Sequence, residues 1–404
     1  MEDIMTDAVI EKDLLRTWIE VDKKALAHNY RLFRELIGPG CLLMAVAKSN
    51  AYGHGLYDYA PVMDRLGADW LGVDSIVEAV TLREIGIQKP ILVLGHTLPA
   101  RFEEAARHRV SLTVSSFETL AALKSPGISG RIKVHVKVDT GLHRQGFLPD
   151  QVARVIEILK RDLPRLEVEG LYTHFAMAKD PQNSAYTLEQ IDKFTQAAEA
   201  FVAAGFRPLR HAGATAGAIN HPEARLDMVR IGIGLVGLWP SPEMEEAFGT
   251  TCELEPVLSW RTIISESKSL PPGTGISYDL TEKLSRDSKI GICPIGYWHG
   301  FPRSLSRVGE VLVRGRRARV LGAVTMDIIV VDLTDIPDVG VGDTVTLIGR
   351  DGGDNITAYE VARKAEGSYY ELLTRLNPLI QKYYLDGSLP SCVGSLYEEQ
   401  GRKR

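Results

Sequence analysis

The run Ala45-Val46-Ala47-Lys48-Ser49-Asn50-Ala51-Tyr52-Gly53-His54-Gly55 carries a short apolar segment into a lysine and then turns through small residues. An α/β protein places a reactive amine in this way, at the carboxyl end of a buried strand and facing a pocket. Burial favours the neutral, nucleophilic form of a lysine. Lys48 is therefore a candidate for a Schiff base with an aldehyde cofactor, and the identity of that cofactor would limit the chemistry.

Working outward from Lys48, short Val/Ile/Leu-rich runs alternate with amphipathic segments. The patterning predicts strands at 42–47, 70–73, 91–94, 112–114, 132–139, 167–173, 209–212 and 228–231. Helical patterns lie between them, as at 76–85 and 187–204. Eight such β–α units predict a (β/α)8 barrel over residues 1–256. After Pro256 strand-like runs recur without long helices, at 257–267, 289–295, 310–313, 318–333 and 344–347, with one helix expected at 358–364. Pro271-Pro272-Gly273 and Asp351-Gly352-Gly353 mark turns between them. A mainly β second domain is expected over 257–387, followed by a polar tail, 388–404.

The strand expected at 132–139 alternates. Val134, Val136 and Val138 share one face; Lys133, His135, Lys137 and Asp139 share the other. In a barrel the apolar face meets the helices, so the polar face points inward. Lysines there are costly unless something anionic compensates them. Asp227-Met228-Val229-Arg230-Ile231-Gly232-Ile233-Gly234 falls at the eighth strand and its loop, where barrels often bind phosphate through backbone N–H groups. Gly232 and Gly234 allow close approach, and the seventh-strand loop adds Gly213-Ala214-Thr215.

The chain of 404 residues has a formal net charge of -5, 45% hydrophobic and 25% charged residues, which is ordinary for a globular protein and gives no nucleic-acid groove. The basic runs Arg314-Gly315-Arg316-Arg317 and Arg402-Lys403-Arg404 read as solvated faces or tails. Met1-Glu2-Asp3 lacks the plan of a secretory signal, and no stretch is long and apolar enough to span a bilayer. Cys41, Cys252, Cys293 and Cys392 show no CxxC spacing. That argues against a zinc site or a disulfide framework, and for reduced thiols in the cytoplasm.

Together these segments resemble the bacterial alanine racemases. The resemblance rests on the Lys48 run, Val136-Lys137-Val138-Asp139-Thr140-Gly141-Leu142-His143-Arg144, Tyr172-Thr173-His174-Phe175, Met228-Val229-Arg230-Ile231-Gly232-Ile233, Gly275-Ile276-Ser277-Tyr278, Gly296-Tyr297, Thr325-Met326-Asp327 and Tyr370-Glu371. It implies a pyridoxal 5'-phosphate barrel followed by a β domain, in a head-to-tail homodimer with shared active sites. It also implies two-base α-proton transfer on an external aldimine of alanine, supplying D-alanine for peptidoglycan.

By the same resemblance, Lys48 serves the D-face and Tyr278, from the partner subunit, the L-face. A phenol titrates near pH 10 in water, so a tyrosine base needs help from nearby charge. The family's histidine and arginine relay is matched by His174 and Arg230. An arginine facing the cofactor's pyridine nitrogen leaves that nitrogen neutral, unlike the carboxylate of transaminases and barrel decarboxylases. Arg144 is implied at the substrate carboxylate, and Lys137 as a carbamylated lysine. Tyr52, Thr215, Tyr370 and the backbone of Gly232 and Ile233 match phosphate positions; Met326 matches a substrate contact; Tyr297 and Arg303 match the entrance. The chain departs from the family at Ala214, Thr215, Ile231, Lys179 and Ala323. Lys179 and Ala323 reshape the entrance and leave open a broad-specificity amino-acid racemase. A pyridoxal-phosphate homeostasis protein is a further alternative, against which the second domain argues.

Overall fold

The computed structural model describes residues 14–125, 130–385 and 390–391. The described chain divides into two units. One holds most of residues 25–256; the other holds the residues from Val257 onward together with those up to Lys24 and Tyr52–Gly55. Met1-Glu2-Asp3, Cys392 and Arg402-Lys403-Arg404 lie outside the described residues, as does all of the expected tail except the short strand Pro390–Ser391.

The strand β1 (Thr17–Asp22) precedes eight barrel strands: β2 (Leu42–Val46), β3 (Trp70–Val73), β4 (Ile91–Val93), β5 (Ser111–Val114), β6 (Lys133–Lys137), β7 (Glu167–Tyr172), β8 (Leu209–His211) and β9 (Met228–Ile231). Neighbours pair in parallel in chain order, and β9 pairs in parallel with β2. Between β8 and β9 the ring is joined by a parallel bridge from Ala214 to Arg230, with Arg230 N donating to Gly213 O at 2.9 Å. All eight barrel segments predicted from sequence form strands. β3, β4 and β5 are buried at every position, and β3 and β4 read as apolar runs, whereas β6, β7 and β8 carry charged or polar residues among the apolar ones. Val134, Val136 and Val138 are buried as expected. The compensation for Lys133 comes from the chain itself: its Nζ donates to Glu169 at 2.6 Å.

The second unit is an antiparallel-rich sheet of eleven strands among the described residues. The run expected as one strand at 257–267 is two, Leu258–Ile263 and Glu266–Leu270. The run 318–333 also breaks, into Arg316–Leu321 and Ile329–Asp332. Gly322, at φ +64°, interrupts the second of these, where a Cβ would meet Ser277 Cβ at 2.7 Å and Ile276 O at 2.8 Å. The helix Ala358–Lys364 forms as expected and a second, Tyr369–Thr374, follows it. β1, within the residues 1–256 expected as barrel, is part of this sheet. It pairs antiparallel with Leu258–Ile263 and in parallel with Gln381–Leu385.

No helix among the described residues is long and apolar enough to cross a membrane.

Candidate active site

Lys48 follows β2 by one residue and is half-buried. The backbone after it winds left-handed through four successive non-glycine residues: Ser49 (φ 56°), Asn50 (φ 55°), Ala51 (φ 51°) and Tyr52 (φ 54°). Such a conformation costs roughly 1–2 kcal/mol per residue for L-amino acids, so it needs local support. Ala51 N donates to Ala47 O at 2.9 Å, and Asn50 Oδ1 accepts from Leu56 N at 2.8 Å. Glu78 adds a third tie. It completes a capping box with Ser75 at the start of the helix Ile76–Glu84, and its Oε1 accepts from Asn50 N at 3.3 Å. Sequence reading anticipated a turn here, not its hand; strain of this kind gathers at functional sites.

On the neighbouring strand β9, where it pairs with Met44 of β2, Arg230 is buried. Its Nη1 donates to His211 Nδ1 at 3.0 Å and His211 O at 2.9 Å. Its Nη2 donates to Thr173 O at 2.7 Å, Ala212 O at 2.9 Å and His174 Nδ1 at 3.3 Å. The guanidinium carbon also lies 5.2 Å from the Tyr172 ring centroid. Arg230 is thus no surface ion pair: it faces carbonyls and imidazoles. Burial pushes its pKa down to about 10, which leaves it cationic near neutrality. Burial and the Arg230 charge hold His174 well below its ordinary value, so His174 is a neutral imidazole whose Nδ1 accepts. Its proton therefore sits on Nε2.

Lys137 ends β6 inside the barrel and donates to Gln145 Oε1 at 3.1 Å. Burial, then Arg144 and Arg230, push its pKa down to about 8, with Lys48 a smaller contributor. Asp139 shapes the next loop, accepting Gly141 N at 3.1 Å, His143 N at 2.9 Å and Arg144 N at 3.0 Å. Its carboxylate is spent on backbone, and Arg144 stays exposed. Thr215 is buried at the seventh-strand loop, and its Oγ1 accepts from Gly232 N at 3.4 Å and Gly234 N at 3.3 Å. Its hydroxyl hydrogen remains to be donated. A Cβ at Gly234 would meet Phe33 at 2.5 Å and Thr215 Cγ2 at 2.7 Å, so only glycine keeps this cradle open. The barrel unit thereby brings together Lys48, Lys137, Arg144, His174, Thr215, Arg230, Gly232 and Ile233.

The other predicted residues lie in the sheet unit. Tyr52 and Tyr370 face each other with ring centroids 6.4 Å apart, and burial raises both phenols above their ordinary values, leaving them protonated donors. Tyr278 is 73% exposed and Met326 55% exposed. Tyr278 sits on a strained turn, with Ser277 at φ 65° and Asp279 at φ 62°, anchored by Ser277 Oγ donating to Ala323 O at 2.9 Å. Tyr297 N donates to Thr325 O at 3.0 Å and Trp298 N to Met326 O at 2.9 Å, which joins Tyr297 and Met326 on one ridge. Arg303 is exposed on the short turn Arg303–Leu305. Sequence reading missed His211, although its place on the inner face of a barrel strand is the same signal that singled out His135.

Several cations with one backbone-bound carboxylate, a glycine-lined N–H cradle and a lysine at a strand end suit an anionic, aldehyde-bearing ligand. The class that fold and site define is a parallel barrel with a lysine just after one strand and a buried arginine on the strand paired with it. Residues 21–240 match the model of the alanine racemase N-terminal domain, and residues 257–384 that of the alanine racemase C-terminal domain. The chain is 42% identical over 371 residues to an alanine racemase of Symbiobacterium thermophilum, covering 91% of this chain and 97% of that protein. It is 40% identical over 371 residues to one of Halothermothrix orenii, covering 91% and 96%. The crystal structure of alanine racemase from Bacillus anthracis with bound L-Ala-P superposes with a TM-score of 0.90 at 34% identity, covering 95% of this chain and 98% of that one. The chain belongs to the alanine racemase family, a family of pyridoxal-phosphate enzymes.

Proposed function

We propose that this protein interconverts L-alanine and D-alanine with pyridoxal 5'-phosphate, as a homodimer in which each barrel site is completed by the second copy, and that it supplies D-alanine for peptidoglycan in the cytoplasm. The observation that carries the reading is the buried Arg230, fanned over carbonyls and neutral histidines. Lys48 would hold the cofactor aldehyde, and Thr215 with the N–H groups of Gly232 and Ile233 its phosphate; the Tyr52 and Tyr370 hydroxyls match phosphate-binding positions of the family. When bound, the cofactor withdraws electrons and acidifies the substrate α-hydrogen. Arg230 cannot readily release a proton to the ring nitrogen, which restrains that withdrawal and favours racemisation over transamination.

Inversion at one carbon is simplest with two bases on opposite faces. Lys48 Nζ takes or returns the proton on the D-face. Tyr278 Oη of a second copy does so on the L-face, and the Nε2–H of His174 supplies the donor its phenolate needs. The exposure of the large side chains Tyr278, Tyr297 and Met326 supports a second copy as their cover. Arg144 binds the substrate carboxylate. Lys137 is the amine suited to capture carbon dioxide: neutral Nζ forms the C–N bond, one proton leaves, and a cation becomes an anion among Arg144, Arg230 and Lys48. A reduced cytoplasm suits Cys41, Cys252 and Cys293, all free and buried.

A panel of L-amino acids scored for D-product by chiral separation tests the central claim. L-Alanine should turn over, and its failure to do so would sink it. The same panel reads the breadth left open by Lys179 and Ala323. Lys48→Ala should lose the cofactor's Schiff-base absorption. Isotope exchange at the α-carbon, followed from each enantiomer separately, should be lost from L-alanine in Tyr278→Phe. A carbamate signal from labelled carbon dioxide should appear in the wild type and vanish in Lys137→Gln.

A further inference from the structure

Behind Arg230 a line of buried polar groups runs through the barrel interior, and the reaction above gives it no task. Arg230 Nη1 reaches His211 Nδ1 at 3.0 Å, and His211 Nε2 lies 2.8 Å from His135 Nδ1. His135 Nε2 in turn faces Glu169 Oε2 at 3.5 Å, long for a hydrogen bond; both histidines are fully buried and Glu169 is largely so. Trp70 packs edge-on against His135 with centroids 5.2 Å apart, and Tyr172 stacks on His211 at 4.8 Å.

The backbone is shaped to make this line. The β6–β7 register shifts after Val134: Val168 pairs with Val134, Gly170 with His135, and Glu169 is the extra residue. Such a bulge re-aims a side chain. Gly170 has no substitute here, because a Cβ would lie 2.1 Å from His135 Nδ1. The Glu169 carboxylate is held at both oxygens, by Lys133 Nζ on Oε1 at 2.6 Å and by Ser111 Oγ on Oε2.

The donors and acceptors allow one proton arrangement. A guanidinium only donates, so His211 Nδ1 is bare and its proton is on Nε2. That proton points at His135 Nδ1, which must then be bare, and the His135 proton is on Nε2. It faces a carboxylate, which only accepts. Burial holds both histidines below their ordinary values, so each is neutral and carries one ring proton.

We propose that Glu169, acting through His135 and His211, is a positioning residue for Arg230: it fixes the Nε2–H tautomer of both imidazoles and so keeps an acceptor opposite Arg230 Nη1. The catalytic consequence rests on the part assigned to Arg230 above; the tautomers are readable without turnover.

Nitrogen NMR of the holoenzyme labelled with ring-15N histidine tests it directly. His135 and His211 should both be protonated at Nε2 and bare at Nδ1. A proton on Nδ1 of either, or on both nitrogens of either, overturns the proposal whatever the activity. In Glu169→Gln the Lys133 ammonium retains the amide oxygen, so the NH2 group faces His135 Nε2. Both rings should then switch to Nδ1–H, setting a His211 N–H against a guanidinium N–H. Turnover should fall about tenfold, the equivalent of roughly 1.4 kcal/mol, with KM little changed. Glu169→Asp keeps the carboxylate and should restore the tautomers and most of the turnover. Unswitched tautomers in Glu169→Gln, or switched tautomers with wild-type turnover, refute the proposal. If Glu169→Gln does not fold, the wild-type tautomers alone decide. A wild type with these tautomers that fails to racemise alanine would refute the functional reading and leave the tautomer assignment standing.

Discussion

Arg230→Lys retains the positive charge and removes the geometry that delivers it. The guanidinium makes five contacts within 3.3 Å, to His211 Nδ1, His211 O, Thr173 O, Ala212 O and His174 Nδ1. An ammonium has three protons, so at least two of these acceptors lose their donor. Each buried group left unpaired costs about 1–3 kcal/mol, which sets the expected loss at about 2–6 kcal/mol. A flexible point charge also cannot hold His174 and His211 at once, so turnover should drop together with stability. The assay is urea unfolding of the holoenzyme at fixed protein and cofactor concentration, because binding to the folded state shifts apparent stability. Chiral turnover is measured on the same samples. A double-mutant cycle with His211→Gln should show a coupling energy of about 0.5–3 kcal/mol. A loss below about 1 kcal/mol with unchanged turnover would refute the fan of hydrogen bonds and the role built on it.

Three further expectations follow from the same geometry. Gly170→Ala places a methyl 2.1 Å from His135 Nδ1; overpacking should cost about 1–3 kcal/mol, seen as a lower urea midpoint and a displaced His135 ring-nitrogen shift. Lys137 has an ordinary pKa of 10.5 when unfolded and about 8 when folded. Between those values the unfolded chain binds more protons, so stability should rise with pH through that window, by an amount on the order of 3 kcal/mol in carbon dioxide-free buffer. Lys137→Met should flatten the rise, and parallel pH profiles for the two proteins would contradict it. Ser49→Gly relieves one exposed left-handed residue at φ 56° and should raise stability by up to about 1 kcal/mol, measured by urea unfolding; a loss instead would contradict the left-handed turn.

The barrel was legible because its strands are covered on both faces: runs such as Leu42–Val46 and Met228–Ile231 are apolar at every position except Arg230, and that exception marked the site. The second unit was less so. Antiparallel strands alternate and turn sharply, so the run 318–333 concealed the Gly322 break and the loop that exposes Met326. No local pattern could join Thr17–Asp22 to Gln381–Leu385, which pair across more than three hundred residues.

By itself the sequence marked the candidate residues: a lysine ending an apolar strand, glycines after the eighth, an arginine where apolar residues belong. These are local choices of residue type against a strand period, and they survive without coordinates. Only the tertiary structure decided how those residues are held. The left-handed turn after Lys48, the bulge that aims Glu169 and the passage of one proton order from Glu169 to Arg230 each depend on groups far apart in the chain. Hydrogen-bond donors and acceptors select one another by distance and direction, and those exist only once the barrel has closed.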